Sequence, residues 1–217
     1  MKVYLIIPAY NEPGRLEKVI SKAKKYIPAK NIIVVDDGSQ TPVKLPGIIV
    51  LRHMVNLGKG AALKTGADFA FAKGTDAVIF MDADGQHDPG ELPKFIKFLS
   101  QGYDLVFGSR RMPLQTPFVR LMGNKIASIY INVVFGIYVS DILSGFRAIT
   151  QKAYGAVKWN SPRYGVETEM VARLGKHKHR LKYIEFPVET IYIDKYKGLT
   201  IIDGIKILIN SLWWKLS

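Results

Sequence analysis

Short apolar runs alternate with stretches of helical spacing through the first half of the chain, and this alternation most constrains the fold. The apolar runs span residues 3–7, 32–35, 48–51, 77–81 and 105–107. Apolar residues at helical spacing predict helices over 13–26 and 58–73, and another that begins at Pro89. Strands that alternate with helices favour a mostly parallel sheet with helices on both faces. The sequence therefore predicts an α/β fold.

Polar clusters follow these apolar runs, at the points where the predicted strands end. The clusters are Tyr10-Asn11-Glu12, Asp36-Asp37, Asp82-Ala83-Asp84 and Arg110-Arg111. In parallel α/β sheets, ligands bind beyond the carboxyl ends of the strands. We therefore expect the four clusters to form one site at one edge of the sheet.

The acidic clusters each allow two interpretations. Asp82 and Asp84 are well placed to hold a divalent cation, because hard ions such as Mg²⁺ and Mn²⁺ prefer oxygen ligands and often share them with substrate phosphates. The alternative is a turn in which one of the two aspartates caps the next helix. Asp36 and Asp37 suit a base or ribose contact, since carboxylates accept hydrogen bonds from ring N–H groups and sugar hydroxyls. Their alternative is also a turn, with Gly38 at its centre.

A glycine-rich stretch precedes the second predicted helix. Asn56-Leu57-Gly58-Lys59-Gly60 resembles a phosphate-binding loop but lacks the spacing of a P-loop or of a dinucleotide fingerprint. Lys59 could meet a phosphate there. The same residues are also compatible with an ordinary helix start.

The composition narrows the class of partner. The chain has 217 residues, no cysteine and a formal net charge of +13. Its length favours one domain, and the absence of cysteine excludes a disulfide scaffold and a thiolate nucleophile. The positive charge indicates an anionic partner. Nucleic acid is disfavoured, because the acidic clusters would repel its phosphates in the absence of a metal.

Two segments of the second half have the character of membrane-surface elements. Residues 126–139 carry no charge, and residues 199–217 place apolar side chains and paired tryptophans on one side of a predicted amphipathic helix. Neither segment reaches the ~20 apolar residues of a spanning helix. We expect peripheral membrane contact, with packing against the protein core as the alternative for each segment.

Taken together, these motifs resemble the family 2 glycosyltransferases of the GT-A fold. The matching motifs are Pro8-Ala9-Tyr10-Asn11-Glu12, Asp36-Asp37-Gly38-Ser39, Asn56-Leu57-Gly58-Lys59-Gly60, Asp82-Ala83-Asp84-Gly85-Gln86-His87 and Gly108-Ser109-Arg110. A further block, residues 141–147, is similar to one in the polyprenyl-phosphate branch, which includes dolichyl-phosphate mannose synthases and dolichyl- or undecaprenyl-phosphate glucosyltransferases. The resemblance thins after about residue 170.

The resemblance implies a role for each matching residue. The nucleotide-sugar site would comprise Pro8, Tyr10, Glu12, Asp36, Asp37, Lys59 and Asp82. The metal would be held by Asp82, Asp84 and Gln86. The acceptor phosphate would meet Arg110, Ser144, Arg147 and Lys195. The catalytic set would be Asp84, Arg110, Asp141, Arg147 and Glu167.

The implied reaction is an inverting transfer of mannose or glucose from GDP-mannose or UDP-glucose to a polyprenyl monophosphate, assisted by Mg²⁺ or Mn²⁺. A hydroxyl acceptor on a glycan or glycolipid is the alternative, and it would require Asp141 or Glu167 as a general base. We expect one GT-A domain over 1–217, with a nucleotide-sugar half (1–110), an acceptor half (111–198) and a C-terminal amphipathic helix (199–217). We expect it at the cytoplasmic face of a membrane, with a membrane subunit as a further candidate partner.

Overall fold

The computed structural model describes most of the chain, apart from short internal segments and most of the C-terminal region. The described residues are 1–12, 14–110, 118–163, 165–189, 191, 210–211 and 214–215. Their strands are β1 (Val3–Ala9), β2 (Ile32–Asp36), β3 (Ile49–Arg52), β4 (Ala77–Phe80), β5 (Leu105–Arg110), β6 (Arg147–Thr150) and β7 (Tyr183–Val188). Their helices are α1 (Arg15–Ala23), α2 (Lys59–Ala72), α3 (Leu92–Ser100), α4 (Phe118–Phe135), α5 (Gln151–Val157) and α6 (Val166–Lys176).

The strands form one mixed sheet in the order β3-β2-β1-β4-β6-β5-β7. Neighbouring strands are parallel except at β6, which runs antiparallel to β4 on one side and to β5 on the other. The α/β fold with a mostly parallel sheet is therefore confirmed. The reversal of β6 matters for function, because it brings the start of β6 to the edge where the parallel strands end.

The helices cover both faces of the sheet, and each face has its own apolar core. One core packs the sheet against α2, α4, α5 and α6, with Trp159 as its largest fully buried side chain. The other packs the sheet against α1 and α3. The strands are apolar on both sides for this reason, as expected for a parallel sheet between two helical layers.

The predicted strands and helices of the first half match the structure closely. Strands β6 and β7 have no counterpart among the predictions. The apolar stretch from 126 onward belongs to α4 and to the segment that follows it. In the described part of the chain, no helix combines the length and apolarity needed to cross a bilayer. Most of 199–217 and all of the loop around Lys195 lie outside the described residues.

Candidate active site

The ends of the central strands bring the predicted site residues to one edge of the sheet. Phe80 at the end of β4 and Phe107 on β5 both pair with Arg147 at the start of β6. Asp82 follows β4 directly, and Arg110 ends β5. The acidic motif, the arginine and the 141–147 block therefore meet at this edge, although they are far apart in sequence.

Lys59 lies between two carboxylates of the site. Lys59 is the first residue of α2, and its Nζ is 2.7 Å from Asp82 Oδ1. The same Nζ is 2.9 Å from Oε1 of Glu167, which lies in the first turn of α6. Burial opposes charge on each group, yet the attraction of the two carboxylates raises the pKa of Lys59. Burial would raise the pKa of Asp82, but the charge and the hydrogen bond of Lys59 lower it to about 2. Lys59 and Asp82 therefore form a permanent ion pair.

Asp84 is subject to the negative charge of the neighbouring Asp82. Its Oδ1 accepts a hydrogen bond from the Gln86 amide at 3.0 Å. Burial and the neighbouring charge of Asp82 raise the pKa of Asp84. A cation shared by the two carboxylates would relieve this repulsion, and the side-chain oxygen of Gln86 adds a third hard donor of the kind Mg²⁺ and Mn²⁺ take.

The oxygen ligands at this turn therefore fit a divalent cation, and they leave part of its coordination shell for substrate oxygens. Across the described ranges, no group of three or more histidine, aspartate or glutamate side chains forms a ready-made metal cluster. The three predicted ligands Asp82, Asp84 and Gln86 stand on one turn after β4 and include only two carboxylates. Such a set leaves coordination positions open for phosphate oxygens of a bound substrate.

His87 stabilises the turn after β4 through a hydrogen bond to its backbone. The sequence analysis assigned no role to this histidine. Its Nδ1 accepts a hydrogen bond from the Asp82 amide at 3.1 Å, and its ring stacks on Phe146 with centroids 4.8 Å apart. Burial lowers the pKa of His87 to about 4, so the ring is neutral at physiological pH. The histidine thus fixes the backbone at the first metal-ligand candidate.

Arg110 is held by a fork of hydrogen bonds to Asp141. Its Nε and Nη2 donate to the two carboxylate oxygens at 2.6 and 2.8 Å, and its backbone amide donates to Oδ2 at 3.0 Å. Asp141 is buried, and Glu185 accepts hydrogen bonds from the Ser140 and Asp141 amides at 2.9 and 3.0 Å. Glu185 was not among the expected residues. A planar guanidinium fixed in this way is suited to bidentate recognition of a phosphate.

Arg147 and Ser144 are placed differently from the expectation. Both are buried. Arg147 donates to the main-chain carbonyls of Ser144, Ile142 and Glu167, and its guanidinium lies 5.2 Å from the centre of the Phe107 ring. A direct contact with an acceptor phosphate would require these bonds to break. The geometry favours a positioning role, in which Arg147 ties the 142–147 loop to the start of α6.

Asp36 and Asp37 also have protein partners. Asp36 accepts hydrogen bonds from the amides of Ser39 and Val43 and from the Arg52 side chain. Burial would raise the pKa of Asp36, but these bonds and the Arg52 charge together lower it. The carboxylate is thus a structural anchor of the turn after β2.

Asp37 anchors the glycine-rich loop. It accepts hydrogen bonds from the Leu57 and Gly58 amides at 2.9 and 2.7 Å and from His53 Nδ1 at 2.7 Å. This loop leads directly to Lys59. The partners of the two aspartates show that the turn alternative accounts for their buried oxygens, while a base contact stays a prediction.

The loop after β1 offers the more open surface on the nucleotide side. Tyr10 is 46% exposed, Pro8 is half-buried beside Val35 of β2, and the Glu12 carboxylate lies 3.7 Å from Arg15. Asn11 adopts a left-handed backbone with φ of 51°. An exposed aromatic ring at the edge of the sheet is suited to stacking on a base.

A second buried carboxylate, Glu169, organises the wall opposite the glycine-rich loop. Glu169 is fully buried, and it accepts hydrogen bonds from the Asn160 amide, from the amide and hydroxyl of Ser161, and from Arg173. The same segment contacts α2, since the Ala61 amide donates to the Pro162 carbonyl at 2.9 Å. Glu169 was not among the expected site residues.

The first turn of α2 approaches this wall so closely that its glycine has no room for a side chain. A Cβ at Gly60 would collide with the Ser161 carbonyl. The Gly60 carbonyl in turn accepts a hydrogen bond from the Trp159 indole at 2.8 Å. Lys59 is therefore positioned from two sides, by the Asp37-anchored loop and by the Glu169-anchored wall.

Comparison with known proteins identifies relatives over the whole chain. The family model for glycosyl transferase family 2 matches residues 4–157. The undecaprenyl-phosphate mannosyltransferase of Micrococcus luteus is 31% identical over 94% of this chain and 88% of its own length. The UDP-N-acetylglucosamine–dolichyl-phosphate N-acetylglucosaminyltransferase of Methanococcus voltae is 30% identical over 99% of this chain and 96% of its own.

Solved structures share the fold at lower sequence identity. Glucosyl-3-phosphoglycerate synthase of Mycobacterium tuberculosis, in a crystal structure with Mg²⁺ and uridine diphosphate, superposes with a TM-score of 0.77 at 20% identity. The match covers 99% of this chain and 79% of the other. The resemblance in architecture extends through the second half, where sequence motifs were few.

Proposed function

Because the chain belongs to glycosyl transferase family 2 and is a glycosyltransferase, we propose that it moves a hexose from a nucleotide sugar to a polyprenyl monophosphate. The observation that carries this proposal is the state of the two carboxylates that could act as a base. Asp141 is held by the Arg110 fork, and Glu167 is held by Lys59. A hydroxyl acceptor would therefore compete with a cation for either carboxylate. A phosphate needs no such base.

The acceptor side requires positioning and charge neutralisation. A phosphate monoester is already an anion at neutral pH, since its second pKa is about 6. Arg110, whose guanidinium is oriented by Asp141, would hold the phosphate and aim one of its oxygens at the anomeric carbon. Attack from the face opposite the leaving diphosphate inverts the configuration. Ser144 and Arg147 would shape the loop that lines this position, and Lys195 is a further candidate contact outside the described residues.

The donor side combines the remaining predicted residues. Tyr10, Pro8 and Glu12 would line the nucleoside, with Asp36 and Asp37 holding the loops that border it. Lys59 is a fixed cation within reach of the donor diphosphate, so it would offset negative charge as the sugar–phosphate bond breaks.

A divalent cation completes this side of the site in the proposal. Asp82, Asp84 and Gln86 would hold Mg²⁺ or Mn²⁺, which supplies Lewis-acid stabilisation to the departing nucleoside diphosphate. The relatives' names support a lipid-phosphate acceptor, and they include both a mannosyl and an N-acetylglucosaminyl transferase. An experiment must therefore identify the donor, and the candidates are GDP-mannose, UDP-glucose and UDP-N-acetylglucosamine. The proposed location is the cytoplasmic face of a membrane.

A donor screen tests the proposal. The purified protein is incubated with Mg²⁺ or Mn²⁺, a short polyprenyl phosphate and each radiolabelled donor, and the label extracted into the organic phase is counted. Free polyprenol replaces the phosphate in a matched reaction, and Asp84→Ala and EDTA reactions run beside it. We expect label in the lipid phase with the phosphate only, lost with Asp84→Ala and with EDTA. Transfer to free polyprenol, or donor hydrolysis without lipid labelling, would overturn the phosphate assignment in favour of a hydroxyl acceptor.

A further inference from the structure

Helix α4 carries large apolar side chains on the side that faces solvent. Met122, Ile126, Ile129 and Val133 follow one another at intervals of four, three and four residues, which places them on one helical face. They are 38%, 55%, 48% and 78% exposed. We call these four residues the α4 outer face.

The buried side of α4 includes polar as well as apolar side chains. Asn124 and Ser128 are buried and donate hydrogen bonds to the Ser140 carbonyl at 3.1 and 3.4 Å. Ile131 and Phe135 are buried in the core, and Ala127, Tyr130 and Val134 pack partly against it. A helix at a water-exposed surface has the reverse arrangement, with polar residues outward. The pattern indicates that the α4 outer face meets an apolar environment.

The charges around the α4 outer face are positive. No acidic residue occurs between 105 and 140, and Lys125 is exposed on the helix itself. The basic loop 176–180 adjoins the end of α4, where Lys178 Nζ donates to the Gly136 carbonyl at 3.1 Å. Two acidic side chains beside the Ser140 carbonyl that binds α4, Asp141 and Glu185, have their carboxylates bound to Arg110 and to the 140–141 segment.

We propose that the α4 outer face docks in the interface of an anionic lipid bilayer, with Lys125 and the 176–180 loop against the headgroups. Apolar side chains flanked by basic ones have this affinity. A second copy of the chain is a poorer occupant, because a two-fold contact would bring the same basic groups together.

The docked helix adjoins the acceptor side of the site. The carbonyl of Ser140 binds α4, and the next residue, Asp141, holds Arg110. Docking at this position would bring a lipid phosphate to Arg110, and only this consequence rests on the proposed function.

Vesicle sedimentation without donor or polyprenyl phosphate tests the docking surface independently of transfer. The full chain is mixed with vesicles of phosphatidylcholine alone or with phosphatidylglycerol added. The triple variant Ile126→Ser/Ile129→Ser/Val133→Ser is compared with Tyr26→Ser, which removes an exposed ring that follows α1 and does not belong to the α4 outer face. We expect the wild type and Tyr26→Ser to sediment with the anionic vesicles, and the triple variant to partition at least about tenfold more weakly.

Three further readouts keep the outcome clear. Thermal unfolding followed by circular dichroism checks that the triple variant folds, and Lys125→Gln/Lys178→Gln should weaken binding to anionic vesicles at low salt only. Equal vesicle binding by a folded triple variant, or no binding by the wild type, overturns the proposal. The proposal is also overturned if light scattering shows a dimeric wild type and a monomeric triple variant, and the two bind vesicles equally. Since no reaction occurs in this assay, a wrong acceptor assignment would leave its result intact.

Discussion

Lys59 Nζ lies 2.7 Å from the Asp82 carboxylate, and a third residue makes this approach possible. Gly145 faces the pair so closely that a Cβ there would stand 2.6 Å from Nζ. Lys59 opens α2, Asp82 follows β4 and Gly145 precedes β6. Three segments of the site therefore meet at this ion pair. We expect substitutions of the pair to reduce activity more than they reduce the stability of the fold.

Replacing Lys59 by methionine removes the cation between Asp82 and Glu167. We expect kcat/KM for the donor to fall about a hundredfold, because a fixed charge that would offset the departing diphosphate is lost. Steady-state kinetics at saturating acceptor measures the change. Lys64→Met, on the same helix, is the matched control and should retain near wild-type activity. Equal kinetics in the two variants would exclude a catalytic role for Lys59.

Arg110→Lys keeps the charge but loses the planar fork. Lysine can form one directed bond to Asp141 where arginine forms two. We expect KM for the acceptor phosphate to rise and kcat/KM to fall by about ten- to a hundredfold, with the donor KM little changed. The measurement is a two-substrate kinetic analysis, with the exposed Arg180→Lys as control when the acceptor is short and water-soluble. A selective rise in the donor KM would instead place Arg110 on the diphosphate.

The first half of the fold was predictable because its signals are local. Each strand from β1 to β5 begins with an apolar run of at least three residues, and each is closed by a turn or a helix start that the sequence displays. Strand β6 has only two consecutive apolar residues, Ala148 and Ile149, and it pairs with β4 and β5, which are distant in sequence. Its position depends on tertiary pairing that no local pattern encodes. The antiparallel reversal, which completes the site, was missed for that reason.

The site was predicted as a set of charged residues but without their partners. The aspartates of the 82–84 motif stand out in the sequence, whereas Glu169 and Glu185 look like ordinary helix and strand residues. What distinguishes the two glutamates is that each accepts several hydrogen bonds, and those donors come from other segments. Arg147 illustrates the converse: a lone arginine in a motif suggested a substrate contact, and its carbonyl partners favour a positioning role.

Glu169→Gln tests whether the wall at 160–163 positions Lys59. An amide side chain has one oxygen fewer to accept the hydrogen bonds from Asn160, Ser161 and Arg173, so the wall should loosen. We expect the free energy of unfolding to fall by about 2 kcal/mol, and kcat to fall more than the loss of folded protein explains. Urea unfolding and kinetics on the same preparation separate the two effects.

The exposed Glu17→Gln on α1 is the matched control for Glu169→Gln, since it removes a carboxylate that stands outside the wall. We expect Glu17→Gln to change neither the free energy of unfolding nor kcat. A Glu169→Gln variant that loses stability but retains wild-type kcat below its unfolding transition would limit Glu169 to a structural role.

Asp36 makes the stability of the fold depend on pH in a predictable direction. Its folded-state pKa is lowered, because the hydrogen bonds from Ser39, Val43 and Arg52 outweigh the effect of burial. A carboxylate with a lowered folded pKa stabilises the protein above its unfolded pKa of about 3.9, and this stabilisation is lost as the pH falls through the folded value. Asp36→Asn should therefore be less stable than the wild type at pH 7, by about 2 kcal/mol. Its deficit should shrink as the pH falls below about 4. Urea unfolding at a series of pH values measures both, and a deficit that is constant with pH would show that Asp36 stabilises the turn without its charge.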